Sequence, residues 1–205
     1  PLLLLVPRHP QRFDEVGAMV AAAGLHGLRR SGWEDAPPAA AATADVWLGD
    51  TLGEMPLYYA LADVALLGGS FAPLGGQNLI EAAACGCPLL MGQHTFNFEE
   101  AAQLAIEAGA AARMKDIGSA VRRAAALVHD PRRNEWVEQA LAFAASSASG
   151  SLSRPTMGCG GGRTSAFASA RSASIVSLAC FPRIGQRSTP NERERPGARR
   201  AAMSA

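Results

Sequence analysis

The chain has 205 residues, 48% of them hydrophobic, enough for one domain with its own core. Its formal net charge of +1 is unevenly spread: residues 1–145 carry ten Lys/Arg against sixteen Asp/Glu, and residues 146–205 carry nine Arg against two Glu. A domain and a tail of different character are therefore expected, with the boundary near 145. No apolar run approaches the ~20 residues that cross a bilayer. The four cysteines, Cys85, Cys87, Cys159 and Cys180, lack the paired spacing and nearby His of a zinc site and imply no disulfide framework. They read as small buried thiols in a reducing compartment.

In chain order, "LLLLV" (2–6) reads as a buried strand stopped by Pro7. A helix follows, with Phe13, Val16, Val20 and Ala23 on one face and Gly24 as its C-cap. A weak strand near 26–31 and a Pro/Ala loop (36–43) lead to a strand over 45–49. A helix starting near Gly53 and Glu54 runs into "DVALLGG", a strand ending in glycines at 68–69. A helix over 77–85, a strand over 87–92, a helix over 97–108 and an apolar stretch around 110–114 come next. One or two helices close the domain between 116 and 145. Short apolar strands alternating with helices indicate a parallel sheet covered on both faces, so the fold class is a doubly wound, Rossmann-like α/β domain.

Beyond 145 no periodicity is sustained, and twelve Ser occur in the last sixty residues. This segment reads as a disordered basic tail or as sequence translated out of frame. It lacks the interleaved aromatics of a nucleic-acid binder, and no nucleic-acid partner is expected. The chain opens without Met inside strand-like sequence, so it is expected to be a piece of a longer protein.

Ligands of doubly wound sheets sit beyond the carboxyl ends of the strands, and every polar or glycine-rich cluster falls there. Arg8, just after the first strand, is a flat fork donor suited to phosphate or base, with His9 beside it as a structural donor. In "GDTLGEM" (49–55), Gly53 exposes backbone amides, although Asp50 or Thr51 would equally cap the following helix. In Gly75-Gly76-Gln77-Asn78-Leu79-Ile80-Glu81, glycines ahead of a helix admit a phosphate to its first free N–H groups. Glu81 is then placed to accept from ribose hydroxyls. Asn78 and Glu81 also have the spacing of a capping box, and the glycine pair favours the ligand reading. His94, Asn97 and Glu100 open another helix, with Asn97 as a possible N-cap. Asp-x-Asp, a P-loop lysine, Gly-x-Ser-x-Gly and GxGxxG with a following acid are all absent.

"VPRHPQRF" and "GDTLGEMPLYYALADVALLGGSFAPLGGQNLIEAAACGCPLLMGQHTFNFEEAA" resemble, in order, the C-terminal half of the 3-deoxy-D-manno-octulosonic acid (Kdo) transferases, over about residues 1–130. The resemblance implies one half of a GT-B fold, two Rossmann-like domains facing a cleft. It implies transfer of Kdo from CMP-Kdo to a lipid A precursor (lipid IVA) in lipopolysaccharide core synthesis. The transfer is inverting, needs no cofactor or bound metal, and occurs at the cytoplasmic face of the bacterial inner membrane. The CMP contacts it implies are Pro7 and Arg8, the turn Leu52, Gly53 and Glu54, and the run Asn78, Leu79, Ile80 and Glu81. The family's general base is a glutamate of the N-terminal domain, which also anchors to the membrane and binds the lipid. No catalytic residue is therefore expected in this chain, nor activity from it alone. Gln77 stands where many relatives carry His. The other readings are a GT-B enzyme using a UDP-sugar, and a non-catalytic nucleotide-binding or pseudogene product.

Overall fold

The computed structural model describes residues 2–34, 36–149 and 174–178. The apolar run at its start forms strand β1 (Leu2–Leu5). Helix α1 (Phe13–Ala22) buries Val16 and Val20 and ends where Gly24 takes a φ of 71°. Then come β2 (Gly27–Arg29), β3 (Val46–Leu48), α2 (Met55–Leu61), β4 (Val64–Leu67), α3 (Ile80–Ala84), β5 (Leu89–Met91), α4 (Glu99–Glu107) and β6 (Ala111–Arg113). Helix α5 (Ile117–Val128) opens with a reciprocal cap between Asp116 and Ser119, and α6 spans Arg133–Ser149. Strand β7 is Ser174–Leu178.

All seven strands run parallel, in the order β2-β3-β1-β7-β4-β5-β6. Side chains alternate between faces even though the strands read as continuous apolar runs. Ala65, Leu67, Leu89 and Met91 point to one face, where α2, α3, α4 and α6 contribute Tyr58, Ala82, Ala102 and Phe143. Val64, Leu66 and Leu90 point to the other, beneath Ala120, Ala124 and Leu127 of α5. Val16 and Val20 of α1 cover Leu5, Val46 and Leu48. Helices on both faces of a parallel sheet give the doubly wound α/β architecture that the alternating pattern implies.

Three differences from the sequence reading have physical causes. Helix α3 begins at Ile80 rather than near 77, because Gly75 and Gly76 hold φ of 87° and 84° and Asn78 Oδ1 accepts from Ile80 N at 3.1 Å. Helix α4 begins at Glu99, after a turn in which Phe98 N donates to Thr95 O at 2.7 Å. Asn97 is thus not its N-cap, and its N–H donates instead to Gly75 O at 3.1 Å.

The third concerns the tail, read from sequence as wholly irregular from 146. Helix α6 continues to Ser149, and Ser174–Leu178 enters the sheet as β7. A five-residue strand is too short to show as periodicity, yet "SIVSL" carries β-branched residues at its centre. The slot it fills is specific: among the described strands, β2-β3-β1 and β4-β5-β6 join through β7, which pairs with β1 on one side and β4 on the other. The expectations for 150–173 and 179–205 fall outside the described residues.

Val176 lies opposite Leu4 in one ladder and Ala65 in the other. Proline there removes an N–H and is poorly tolerated inside a sheet. Val176→Pro is expected to lower the Tm and to accelerate amide exchange in β1 and β4 together, read by mass spectrometry. Unchanged exchange in both strands would show that β7 does not hold the two halves of the sheet together.

Candidate functional site

Parallel pairing puts the ends of β1, β3, β4 and β5 on one edge of the sheet, and the chain order reverses between β1 and β4. That reversal is where doubly wound sheets bind their ligands. Four loops line this edge, and polar contacts hold three of them, those of Ser70 being fully buried.

After β1, Pro7 is buried while Arg8 and His9 are exposed. Arg8 makes no hydrogen bond or ion pair with any described residue. After β3, Asp50 accepts from Ser31 N at 2.8 Å and from Ser31 Oγ at 2.6 Å, tying this loop to the end of β2. Leu52 is 75% exposed, and Gly53 takes a φ of 80° with open space around it. A left-handed, uncovered glycine lets the turn present its amides outward at little steric cost. Glu54 faces inward: Oε1 accepts from Arg30 Nη2 at 2.8 Å, and Oε2 accepts from the Thr51 and Tyr58 hydroxyls. Burial pushes the Tyr58 hydroxyl up to about 12, opposed by its contact with Thr51, so it stays protonated across any working pH.

After β4, fully buried Ser70 pins two strand ends together. Its Oγ donates to Leu67 O at 2.5 Å and accepts from Gly92 N at 2.7 Å, while its carbonyl accepts from His94 N at 2.9 Å. After β5, Arg113 holds the loop from behind. Its Nη1 donates to Thr95 Oγ1 at 3.0 Å and its Nη2 to Glu99 Oε1 at 3.0 Å, and Thr95 in turn donates to the same carboxylate. The Thr95 hydrogen bond and then the Arg113 charge hold Glu99 below its ordinary pKa.

The glycine pair is buried rather than open. A Cβ on Gly75 would lie 2.0 Å from Asn97 Nδ2, and Gly76 sits beneath the backbone of residues 94 and 95. The bare backbone therefore serves the packing of one rim loop on another, and the sequence argument that it admits a phosphate does not hold at these two positions. Asn78 is exposed just beyond them, Leu79 is buried in the core, and Ile80 and Glu81 are partly buried. No side chain caps α3; Asn78 makes a local turn to Ile80, and the Asn78–Glu81 capping box does not form. The Glu81 carboxylate has no hydrogen bond or ion pair with any described residue, and burial raises its pKa above the ordinary 4.5. The same carboxylate adds to the burial that pushes the Tyr59 hydroxyl up.

Of the residues picked out from sequence, Arg8, Leu52, Gly53 and Asn78 are exposed at the rim and Glu81 stands half-open. Pro7 and Leu79 are buried, and Glu54 is engaged internally. His94 and Asn97 are exposed on the loop after β5, and Glu100 is exposed in the first turn of α4. Sequence reasoning missed the residues that hold the loops: Arg30, Ser70, Thr95 and Arg113. Arg30 and Arg113 fall at or just after a strand end, the one available signal. Among the described residues no cluster of three His, Cys, Asp or Glu is arranged to hold a metal.

A doubly wound parallel sheet with its polar loops gathered at the carboxyl edge is the architecture of Rossmann-like α/β domains, a class to which the halves of GT-B glycosyltransferases belong along with many others. No family model matches the chain. It is 56% identical over 140 residues to the 3-deoxy-D-manno-octulosonic acid transferase of Bordetella pertussis, covering 68% of this chain and 32% of that protein. It is 37% identical over 123 residues to the enzyme of the same name from Haemophilus influenzae, of which it covers 28%. Among solved structures it is similar to the C-terminal CMP-Kdo binding domain of WaaA from Acinetobacter baumannii, with a TM-score of 0.60 and 26% identity over 69% of this chain and 88% of that one. The chain is a homologue of the Kdo transferases, spanning about a third of the length of the curated relatives it matches.

Two outcomes follow from this geometry. Ser70→Ala leaves Gly92 N without its buried acceptor and is expected to cost about 1–3 kcal/mol, read by thermal or urea unfolding. Glu81, with a raised folded-state pKa, keeps its proton in the folded chain where the unfolded chain has lost it. Stability is thus present below about pH 4.5 and declines as pH rises through the folded pKa. Glu81→Gln removes that penalty, so it should raise the Tm near about pH 7.5 and leave it unchanged near about pH 4.

Proposed function

We propose that this chain is the donor-nucleotide half of a glycosyltransferase that moves Kdo from CMP-Kdo to a lipid A precursor, lipid IVA, with inversion. The observation that carries the reading is the fold match to a CMP-Kdo binding domain, over 88% of that domain's length. The rim agrees with an anionic nucleoside ligand: Arg8 is exposed, has no hydrogen bond or ion pair among the described residues, and would meet a phosphate, and the exposed Leu52–Gly53 turn is open to a ligand. Asn78 is an exposed amide, and the Glu81 carboxylate has no partner among the described residues, as a group that accepts from ribose hydroxyls should in the free protein. The backbones at Pro7, Leu79 and Ile80 complete the cradle, and the inward Glu54 shapes it.

Attack of an acceptor hydroxyl on the donor sugar requires a base to take the hydroxyl proton as the new glycosidic bond forms and CMP leaves. In this reading the base comes from a second domain that also binds the lipid at the cytoplasmic face of the inner membrane. The present chain alone binds donor without turning it over. Among the described residues no helix is long and apolar enough to cross a membrane.

Calorimetric titration of the full chain with CMP and with UMP tests the proposal. CMP is expected to bind, UMP more weakly, and binding should survive EDTA. Equal affinities would favour the UDP-sugar reading, and no binding of either would remove the nucleotide reading altogether. Glu81→Ala is expected to weaken CMP about tenfold, the worth of charge-assisted hydrogen bonds to hydroxyls. Unchanged affinity would take Glu81 out of the site.

A further inference from the structure

The polar contacts around Glu54 go beyond what holding a surface turn requires. Arg30, at the start of the 3-10 turn that follows β2, reaches across to a residue 24 positions later, and its ion pair with Glu54 is mostly buried at 17% and 24% side-chain exposure. Behind it the guanidinium lies 5.7 Å from the centre of the Trp33 ring, and Trp33 stands edge-on to the buried Trp47 of β3 at 4.9 Å. On the other side, Glu54 Oε2 is held by Thr51 and Tyr58. A continuous path of contacts therefore runs from the sheet, through two indoles and a flat cation, to the carboxylate closing the 51–54 turn. Lysine could supply the charge but neither the flat stacking face nor the fork.

We propose that Arg30 is a positioning residue for the nucleotide site. It fixes Glu54 so that the Leu52–Gly53 backbone stays turned to the rim, and it neutralises a carboxylate that would otherwise repel an anionic ligand. The inference rests on the nucleotide reading above for its effect on binding, and on the structure alone for its effect on the turn. Glu54 in this account is an internal strut and does not touch ligand.

The test uses the full chain and the variants Arg30→Met, Arg30→Lys, Glu54→Gln and Arg30→Met/Glu54→Gln, read by amide exchange at residues 51–54 and by CMP titration. Arg30→Met is expected to speed exchange at 51–54 and to weaken CMP about tenfold, the scale of leaving a half-buried charge unpaired. The double variant, with no unpaired carboxylate, should bind CMP better than Arg30→Met alone. A general packing defect would not produce that reversal. Arg30→Lys should fold with a Tm near the parent's and show a smaller defect in both readouts. It supplies the comparison should Arg30→Met not fold. Unchanged exchange at 51–54 in the folded variants, or simple addition of the two single losses, would overturn the proposal. If the parent chain binds no CMP while exchange at 51–54 still responds to Arg30, the nucleotide reading fails and the positioning of the turn stands.

Discussion

Parallel pairing of every strand is the constraint from which the site follows. A parallel ladder sends all strand ends the same way, so the loops after β1, β3, β4 and β5 must share one edge whatever their individual sequences. The return path through a helix sends the opposite loops to the far edge, and the two edges can differ completely in chemistry. Here the carboxyl edge carries Arg8, Leu52–Gly53, Asn78 and Glu81, and the order reverses between β1 and β4, the position at which doubly wound sheets bind their ligands. Among the described strands, β7 is what joins the two halves of the sheet there, pairing with β1 on one side and β4 on the other.

A shared edge does not by itself make a precise site, since loops are the softest part of a fold. Side chains of low exposure supply the precision. Ser70 joins the ends of β4 and β5, Arg113 ties the loop after β5 to the start of α4, and Arg30 ties the turn after β3 to the end of β2. Each connects neighbouring loops. Ser70 satisfies a buried backbone amide and Arg30 a mostly buried carboxylate, groups that would be costly to leave unpaired, whereas the Glu99 that Arg113 meets is exposed.

The fold was legible because its signal is local: apolar runs of strand length separated by amphipathic helices leave few alternatives. The rim was legible as a location for the same reason, since strand ends are read directly from those runs. What each residue does there was less legible. Gly75 and Gly76 look like bare backbone kept open for a ligand, yet the loop carrying Phe96 and Asn97 covers them. Only a contact between segments some twenty residues apart distinguishes the two uses. Glu54 looks like a ligand-facing acid beside a glycine, and its partner Arg30 lies in a turn that no short-range pattern connects to it. Strand β7 was hidden for the opposite reason. Five residues carry too little pattern, and what calls them into order is the gap between β1 and β4, a feature of the sheet and not of the segment.

The contrast between paired and unpaired charge along this rim is itself informative. Asp50, Glu54 and Glu99 are each matched by an arginine or by hydroxyl and amide donors. Arg8 and Glu81, on the same edge, have no partner among the described residues. For Arg8, exposed to water, that costs little. For Glu81, partly buried, it raises the pKa and destabilises the ionised form. A loop network that neutralises three carboxylates could have been built to neutralise a fourth. A half-buried acid left without a donor favours a ligand that brings donors, because part of the cost of desolvating the carboxylate has been met in folding and less remains to be met on binding. Such a group is worth most to a ligand rich in hydroxyls and least to a bare phosphate, which would be repelled. In the proposed nucleotide reading, the cation Arg8 and the anion Glu81 would face two ends of one ligand, its phosphate and its sugar.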